Sequence, residues 1–323
     1  MMEGLPMIYI KTRGRLGNQM FYYAFARAIQ KENPDLGEIV FIPDEQVFEK
    51  YGGLTILDFN VNIKGVAKKP ELSLKQKGIY LIFKICRKAC EKLKGAGSVR
   101  TLTIRSQPIL NAFGLYVGWF SDDVKIRYNS NSKNVWVTGL WENPVYFHNI
   151  KSILKSEFTP RYDLLPHNEN MLNDILTTNS VCVSIRRGDY LDKGNEVFNI
   201  CTKEYFYEAE RTIAKIMDTY KLFIFSDDVE WCKHNMHFQG PVSFENNAED
   251  APVWEKMRLM SACKHFIISN STFSWWAQYL SDNPEKKVIA PRPWRKNEYC
   301  DCFYDESFIL LDVSSGKLAI RET

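Results

Sequence analysis

Between residues 181 and 290 short apolar runs alternate with stretches of helical period, a rhythm that few architectures accept. The runs at 181–186, 222–225, 265–268 and 287–290, with a weaker one near Val242, are rich in Val, Ile and Phe and too short for helices. Between them, 203–217, 230–235, 252–263 and 272–280 repeat apolar residues at helical spacing. Strands that rejoin a sheet through a helix run parallel, and such a sheet is covered by helices on both faces. The N-terminus opens the same way: a strand at 7–11, a turn at Gly14 and Gly17, a helix at 18–32 ended by Asn33-Pro34, and a strand at 38–42. Residues 135–140 read as a strand and 144–154 as a helix, whereas 50–134 give only a basic helix and scattered short strands.

Two α/β series in 323 residues fit two domains of ordinary size. The stretch 156–170, with Pro160 and Pro166, is the expected boundary. We therefore expect two Rossmann-like domains facing across a cleft: 1–160, then 161–300, with 301–323 as a C-terminal tail. In open sheets of this kind ligands bind beyond the carboxyl ends of the strands, which directs attention to the loops that follow them.

Three such loops carry chemistry. Ser184-Ile185-Arg186-Arg187-Gly188-Asp189 ends a strand with two guanidinium groups, whose planar forks suit a diphosphate; the plain alternative is a surface Arg–Asp pair. Phe225-Ser226-Asp227-Asp228 offers a carboxylate that can accept from a guanine edge, hold a metal or cap the next helix. Ser269 to Thr272 lead into the helix of Phe273, Trp275 and Trp276, whose unpaired first N–H groups form an anion site. No GxxxxGK[ST] occurs, no GxGxxG follows the first strand, and no Asp-x-Asp is present to tether a metal to a nucleotide-sugar. Leaving-group charge then falls to the arginines and the helix start.

Composition narrows the partners. Lys and Arg number 42 against 39 Asp and Glu, too balanced for a nucleic-acid face. The eight cysteines contain no CxxC pair and no zinc spacing. Cys182, Cys232 and Cys263 read as buried thiols and Cys300-Asp301-Cys302 lacks partner ligands, so no metal is expected and a reducing cytoplasm suits the chain. Residues 1–6 lack the pattern of a signal peptide, and no window approaches a membrane span. The segment 75–94 mixes Ile79, Leu81, Ile82, Phe83 and Ile85 with many lysines. It reads either as a surface helix with one buried face or as peripheral contact with the inner face of a membrane.

Taken together, Gly14-Arg15-Leu16-Gly17-Asn18-Gln19-Met20-Phe21, the Arg186-Arg187-Gly188-Asp189 motif, the Phe225 to Asp228 block and the Ser269 to Trp276 block resemble the bacterial α-1,2-fucosyltransferases of glycosyltransferase family 11. The motifs stand in the family's order over residues 14–276. The resemblance implies a GT-B-like fold, GDP-fucose as donor, inversion at the anomeric carbon, and no metal or cofactor. It also implies a galactose-terminated oligosaccharide or glycolipid as acceptor. Carried onto this sequence, Arg186 and Arg187 neutralise the diphosphate, Asp228 beside Asp227 reads guanine, and Ser271, Thr272 and Phe273 hold phosphate oxygens. Arg15, Asn18 and Gln19 line the acceptor side of the cleft near the reacting carbon, Asn18 with a catalytic role. Asp189, Asp192 and Glu196 are candidates for the base, Asp189 alternatively orienting Arg187. Ser184 stands where the family's arginine motif commonly begins with histidine; if that histidine packs on the guanine, this chain must support the guanine otherwise. Two rivals remain: a fucosyltransferase of another linkage such as α-1,6, and a non-catalytic GDP-sugar or glycan-binding protein.

Overall fold

The computed structural model describes residues 5–50, 52–118, 134–245, 251–296 and 300–313. The chain divides between Phe158 and Thr159 into two compact units.

The first unit contains β1 (Ile8–Thr12), α1 (Leu16–Glu32), β2 (Ile39–Pro43), α2 (Glu45–Glu49), β3 (Ile63–Val66), α3 (Leu74–Lys94), α4 (Ala96–Ala112), β4 (Leu115–Gly118), β5 (Val135–Gly139) and α5 (Lys151–Glu157). Its five strands lie in the order β3-β2-β1-β5-β4, all parallel. Helix α1 starts two residues before the expected 18, because Gly14, with φ of 69°, completes the turn and Gly17 lies inside the first helical turn. The expected single helix at 144–154 is instead two 3₁₀ turns followed by α5. Pro144 stands at the start of the first turn, Asn143 Oδ1 accepts from the Val145 N–H, and Phe147 leaves helical geometry between the two turns. The illegible stretch proves to hold a helical hairpin, α3 and α4, packed on Tyr9, Val40, Val117 and Trp136 of the sheet.

The carboxyl ends of β4 and β5 approach so closely that side chains cannot fit. A Cβ on Gly118 would enter the ring of Trp141, and one on Gly139, where φ is 109°, would meet the Gly118 carbonyl. Gly118→Ala is therefore expected to displace the buried Trp141 and cost roughly 1–3 kcal/mol. A thermal melt following tryptophan fluorescence reads both effects; an unchanged Tm would mean that the strand end yields freely.

The second unit contains α6 (Glu169–Thr177), β6 (Ser180–Ile185), α7 (Lys203–Ile216), β7 (Lys221–Ser226), α8 (Val229–Asn235), β8 (Val242–Phe244), α9 (Val253–Ala262), β9 (His265–Ile267), α10 (Thr272–Leu280), β10 (Val288–Arg292) and β11 (Ile309–Asp312). Its order is β11-β10-β9-β6-β7-β8, again wholly parallel. Val181, Val183, Leu222, Ile224 and Ile267 from the strands pack with Tyr205, Phe206, Ala209 and Ile213 of α7. The α/β expectation of two Rossmann-like sheets holds. The expected tail needs correction: Leu310 and Leu311 are buried and β11 pairs with β10, so 309–312 belong to the sheet, while 314–323 lie outside the described residues.

The chain builds β7 and β8 on one side of β6, then crosses to build β9, β10 and β11 on the other. The order reverses between β6 and β9, and crevices open at such reversals, beyond the carboxyl ends of the strands.

Candidate functional site

The three loops singled out in the sequence follow β6, β7 and β9, so all three surround that reversal point. Direct bonds knit them together. Ser184 gives its backbone carbonyl to the Ser269 N–H at 3.2 Å, tying the end of β6 to the start of the β9 loop. The Tyr190 hydroxyl donates to the Asn270 carbonyl at 3.0 Å, and Asn270 Nδ2 donates to the Phe198 carbonyl at 2.9 Å. Burial pushes the Tyr190 phenol far above its ordinary range, so it stays a hydrogen-bond donor at neutral pH. The buried Cys201 thiol, raised to about 12 by desolvation, lies 3.5 Å from Asn270 Oδ1 and is inert packing rather than a nucleophile.

The two arginines differ in what they have left to offer. Arg186 is clamped, with Nη2 on Asp189 Oδ1 and Nη1 2.6 Å from Asp227 Oδ2, and its guanidinium sits 5.5 Å from the Tyr190 ring. Asp189 therefore orients Arg186, not Arg187. Arg187 donates its backbone N–H to Asp227 Oδ1 at 2.9 Å and its Nε–H to Asp228 Oδ2 at 3.2 Å. Its guanidinium stacks on Trp231, with Cζ 3.3 Å from the ring centroid. Both Nη groups of Arg187 have no partner among the described residues, so its fork is pre-set yet retains donors for an anion. Gly188 is needed beside it, because a Cβ there would strike the Asp227 carboxylate.

Asp228 caps α8, its Oδ1 accepting from the Trp231 N–H at 3.2 Å, while Asp227 braces both arginines. Capping, the plain reading of this block, thus coexists with a second Asp228 oxygen turned to Arg187. Ser271 caps α10 by accepting the Phe273 N–H at 3.3 Å, with Thr272 and Phe273 half-buried in the first turn. Ser274 holds that turn by donating to the Ser269 and Ser271 carbonyls, and Trp275 Nε1 donates to the Phe303 carbonyl at 2.8 Å. The amide end of α10 is accordingly fixed beside the arginine loop.

Glu196 is exposed and accepts the Gly194 N–H at 3.1 Å on each oxygen; bonds from its own backbone N–H and from Gly194 lower its pKa. Asp192 is exposed, with its N–H bonded to the Asp189 carbonyl. In the first unit, Arg15 is exposed at the head of α1 and Asn18 folds against Gly14. Gln19 corrects its acceptor-side expectation: it is fully buried, donating to the Gly14 and Gly53 carbonyls and accepting from the Ile56 N–H, so its amide clamps the scaffold.

Sequence reading missed Trp231, Lys203 and the pair Glu245–Lys256. Trp231 follows Asp228 at the capping interval of three, but its stacking on Arg187 is a contact across 44 residues that no local pattern reveals. Lys203 Nζ lies 5.1 Å from the same ring. Glu245, just past β8, is buried, and Lys256 Nζ stands 3.0 Å from its Oε2 and 2.9 Å from the Ser226 carbonyl at the end of β7. Among the described residues no group of three His, Cys, Asp or Glu is placed to hold a metal ion, and no helix is long and apolar enough to cross a membrane.

The sequence matches Glycosyl transferase family 11 over residues 7–308. It is 29% identical over 310 residues to an alpha-1,2-colitosyltransferase of Escherichia coli, covering 93% of this chain and 96% of that protein. The O-antigen biosynthesis glycosyltransferase WbnK of Escherichia coli is 25% identical over 298 residues, 89% of this chain and 94% of its own. The crystal structure of the fucosyltransferase NodZ from Bradyrhizobium shares the fold, with a TM-score of 0.51 at 10% identity over 86% of this chain and 94% of that one. With a match running through both units and through every motif of the site, the chain belongs to glycosyl transferase family 11 and is a glycosyltransferase.

Proposed function

We propose that this enzyme transfers L-fucose, with inversion, from GDP-β-L-fucose to the 2-hydroxyl of a β-galactoside, in surface polysaccharide or O-antigen synthesis. The observation that carries the reading is the unspent fork of Arg187 held beside the amide end of α10. Arg187, with the Ser271 and Thr272 hydroxyls and the positive end of the α10 dipole, takes the diphosphate, while Arg186, locked to Asp189 and Asp227, fixes the loop. Asp228 keeps lone pairs for the N1–H and 2-amino group of guanine beyond the two bonds it already accepts. Arg15 and Asn18 serve the acceptor.

The acceptor hydroxyl attacks the anomeric carbon opposite GDP, and its proton passes to a carboxylate, for which Asp189 and Glu196 are the candidates. The transition state is oxocarbenium-like, so stabilising the departing diphosphate carries most of the rate and needs no metal. The names of the Escherichia coli relatives support the 1,2 linkage and O-antigen synthesis. They also favour one second reading, a colitosyl donor in place of fucosyl.

The test is transfer to lactose from GDP-fucose or from the colitosyl donor, with NMR assignment of the product. A new α-1,2-fucosyl linkage is expected. A 1→6 product, transfer from the colitosyl donor alone, or GDP-fucose binding without transfer would each displace the proposal.

A further inference from the structure

Helix α3 is amphipathic twice over. Ser73 and Gln76 form a capping box at its start, and Gln76 Nε2 donates to the Phe113 and Asn134 carbonyls at 2.8 and 2.7 Å. Phe83 is buried, and Ile79 and Tyr80 pack beside it on the sheet. This inner face pins the rotation of the helix, so what lies opposite cannot turn inward. Opposite lie Leu74, Leu81, Ile82, Ile85 and Leu93, exposed by 86, 57, 63, 58 and 82%. At about 100° per residue these five fall within roughly 120° of arc, and Gln76 and Phe83 fall about 160–180° from Ile85. A contiguous apolar stripe left in water on a monomer marks an interaction surface.

Charge selects the partner. Residues 74–94 hold seven Lys or Arg and one Glu, a net +6 on one helix of a chain whose total is only +3. Lys77, Lys84 and Lys88 are exposed and run along one edge of the stripe, with Lys92 near its end. A twofold dimer through this face would bring two such lysine rows together, an arrangement that like-charge repulsion opposes. A nucleic acid would find an apolar stripe where it needs a basic one. An anionic lipid surface satisfies both parts: acyl chains take the leucines and isoleucines, and headgroups take the lysines.

We propose that α3 docks the first unit on a lipid surface bearing anionic headgroups, lying in the interface plane through Leu81, Ile82 and Ile85 with its lysine edge on the headgroups. This inference is independent of the donor and the linkage.

Full-length protein is to be sedimented with phosphatidylcholine vesicles containing or lacking phosphatidylglycerol, at low and high salt. At least tenfold stronger binding to the anionic vesicles is expected, weakening with salt. Ile82→Glu with Ile85→Glu, and separately Lys84→Glu with Lys88→Glu, are each expected to lower that binding at least tenfold, with unchanged circular dichroism and melting. These positions are exposed and outside the site, so folding and sugar transfer to a soluble acceptor are retained. Equal binding to both vesicle types, or anionic binding untouched in both variants, overturns the proposal. So does a wild-type dimer in light scattering that Ile82→Glu with Ile85→Glu disperses. Binding of the stripe to a soluble acidic protein with no binding to vesicles also overturns it.

Discussion

Arg187→Ala is expected to lower turnover by at least about 10²–10³-fold, the scale set by removing a preorganised donor from developing negative charge. The fold should survive. Asp227 keeps its bond to the residue 187 N–H, and Arg186 keeps both its carboxylates. What disappears is a half-buried cation stacked on Trp231, worth about 1 kcal/mol at such a site, so Tm should fall by only a few degrees. Asp228 loses its Arg187 contact but still caps α8. Arg187→Lys should recover little, because an ammonium cannot stack flat on the indole and bond Asp228 while presenting a second pair of donors. The measurement is kcat at saturating donor beside a thermal melt. Near-normal turnover in Arg187→Ala would remove this side chain from the reaction.

A second large effect is expected beneath the site. Glu245 is buried, and desolvation raises its pKa from 4.5 to about 7 against the lowering influence of Lys256. The folded state therefore favours the neutral acid. That contribution to stability is full below pH 4.5 and is lost as pH rises through about 7. Lys256→Met withdraws the counter-charge, drives the carboxyl higher still and steepens the decline. We expect a loss of about 3 kcal/mol at pH near 8, shrinking at pH near 5 where Glu245 is neutral in both proteins. Adding Glu245→Gln should restore most of the loss, since it removes the stranded charge. Because Lys256 also bonds the Ser226 carbonyl, one residue before the Asp227–Asp228 pair, donor affinity should weaken in parallel. Urea unfolding at the two pH values tests this; a loss of equal size at both would show that the ion pair is not its origin.

The parallel series of the second unit was legible because each strand and helix keeps one clean period, and because Gly188, Asp227 and Ser271 stand at strand ends where turns and caps belong. The loops' convergence also followed, since parallel strands deliver all their carboxyl ends to one edge. Residues 50–118 resisted for the opposite reason. Helix α3 carries apolar side chains on both its packed and its exposed faces, with Leu81 and Ile82 outward and Phe83 inward, so no single stripe emerges. Helix α4 contains Pro108, a residue that ordinarily signals a break. The assignment of Asp189 to Arg186, the stacking of Arg187 on Trp231 and the burial of Gln19 depend on contacts distant in sequence, and residue types alone left those alternatives open. Leu310 and Leu311 looked like a tail because the pairing of β11 with β10 has no local signal.

The most direct test of the central claim, that the strand ends of the second unit grip the diphosphate of a GDP-linked donor through Arg187 and the head of α10, is calorimetric titration of GDP in excess EDTA. Tight GDP binding that tolerates the chelator, exceeds UDP binding at least tenfold and collapses in Arg187→Ala is the expected result. No heat from GDP, a requirement for added divalent metal, or undiminished affinity in Arg187→Ala would contradict it.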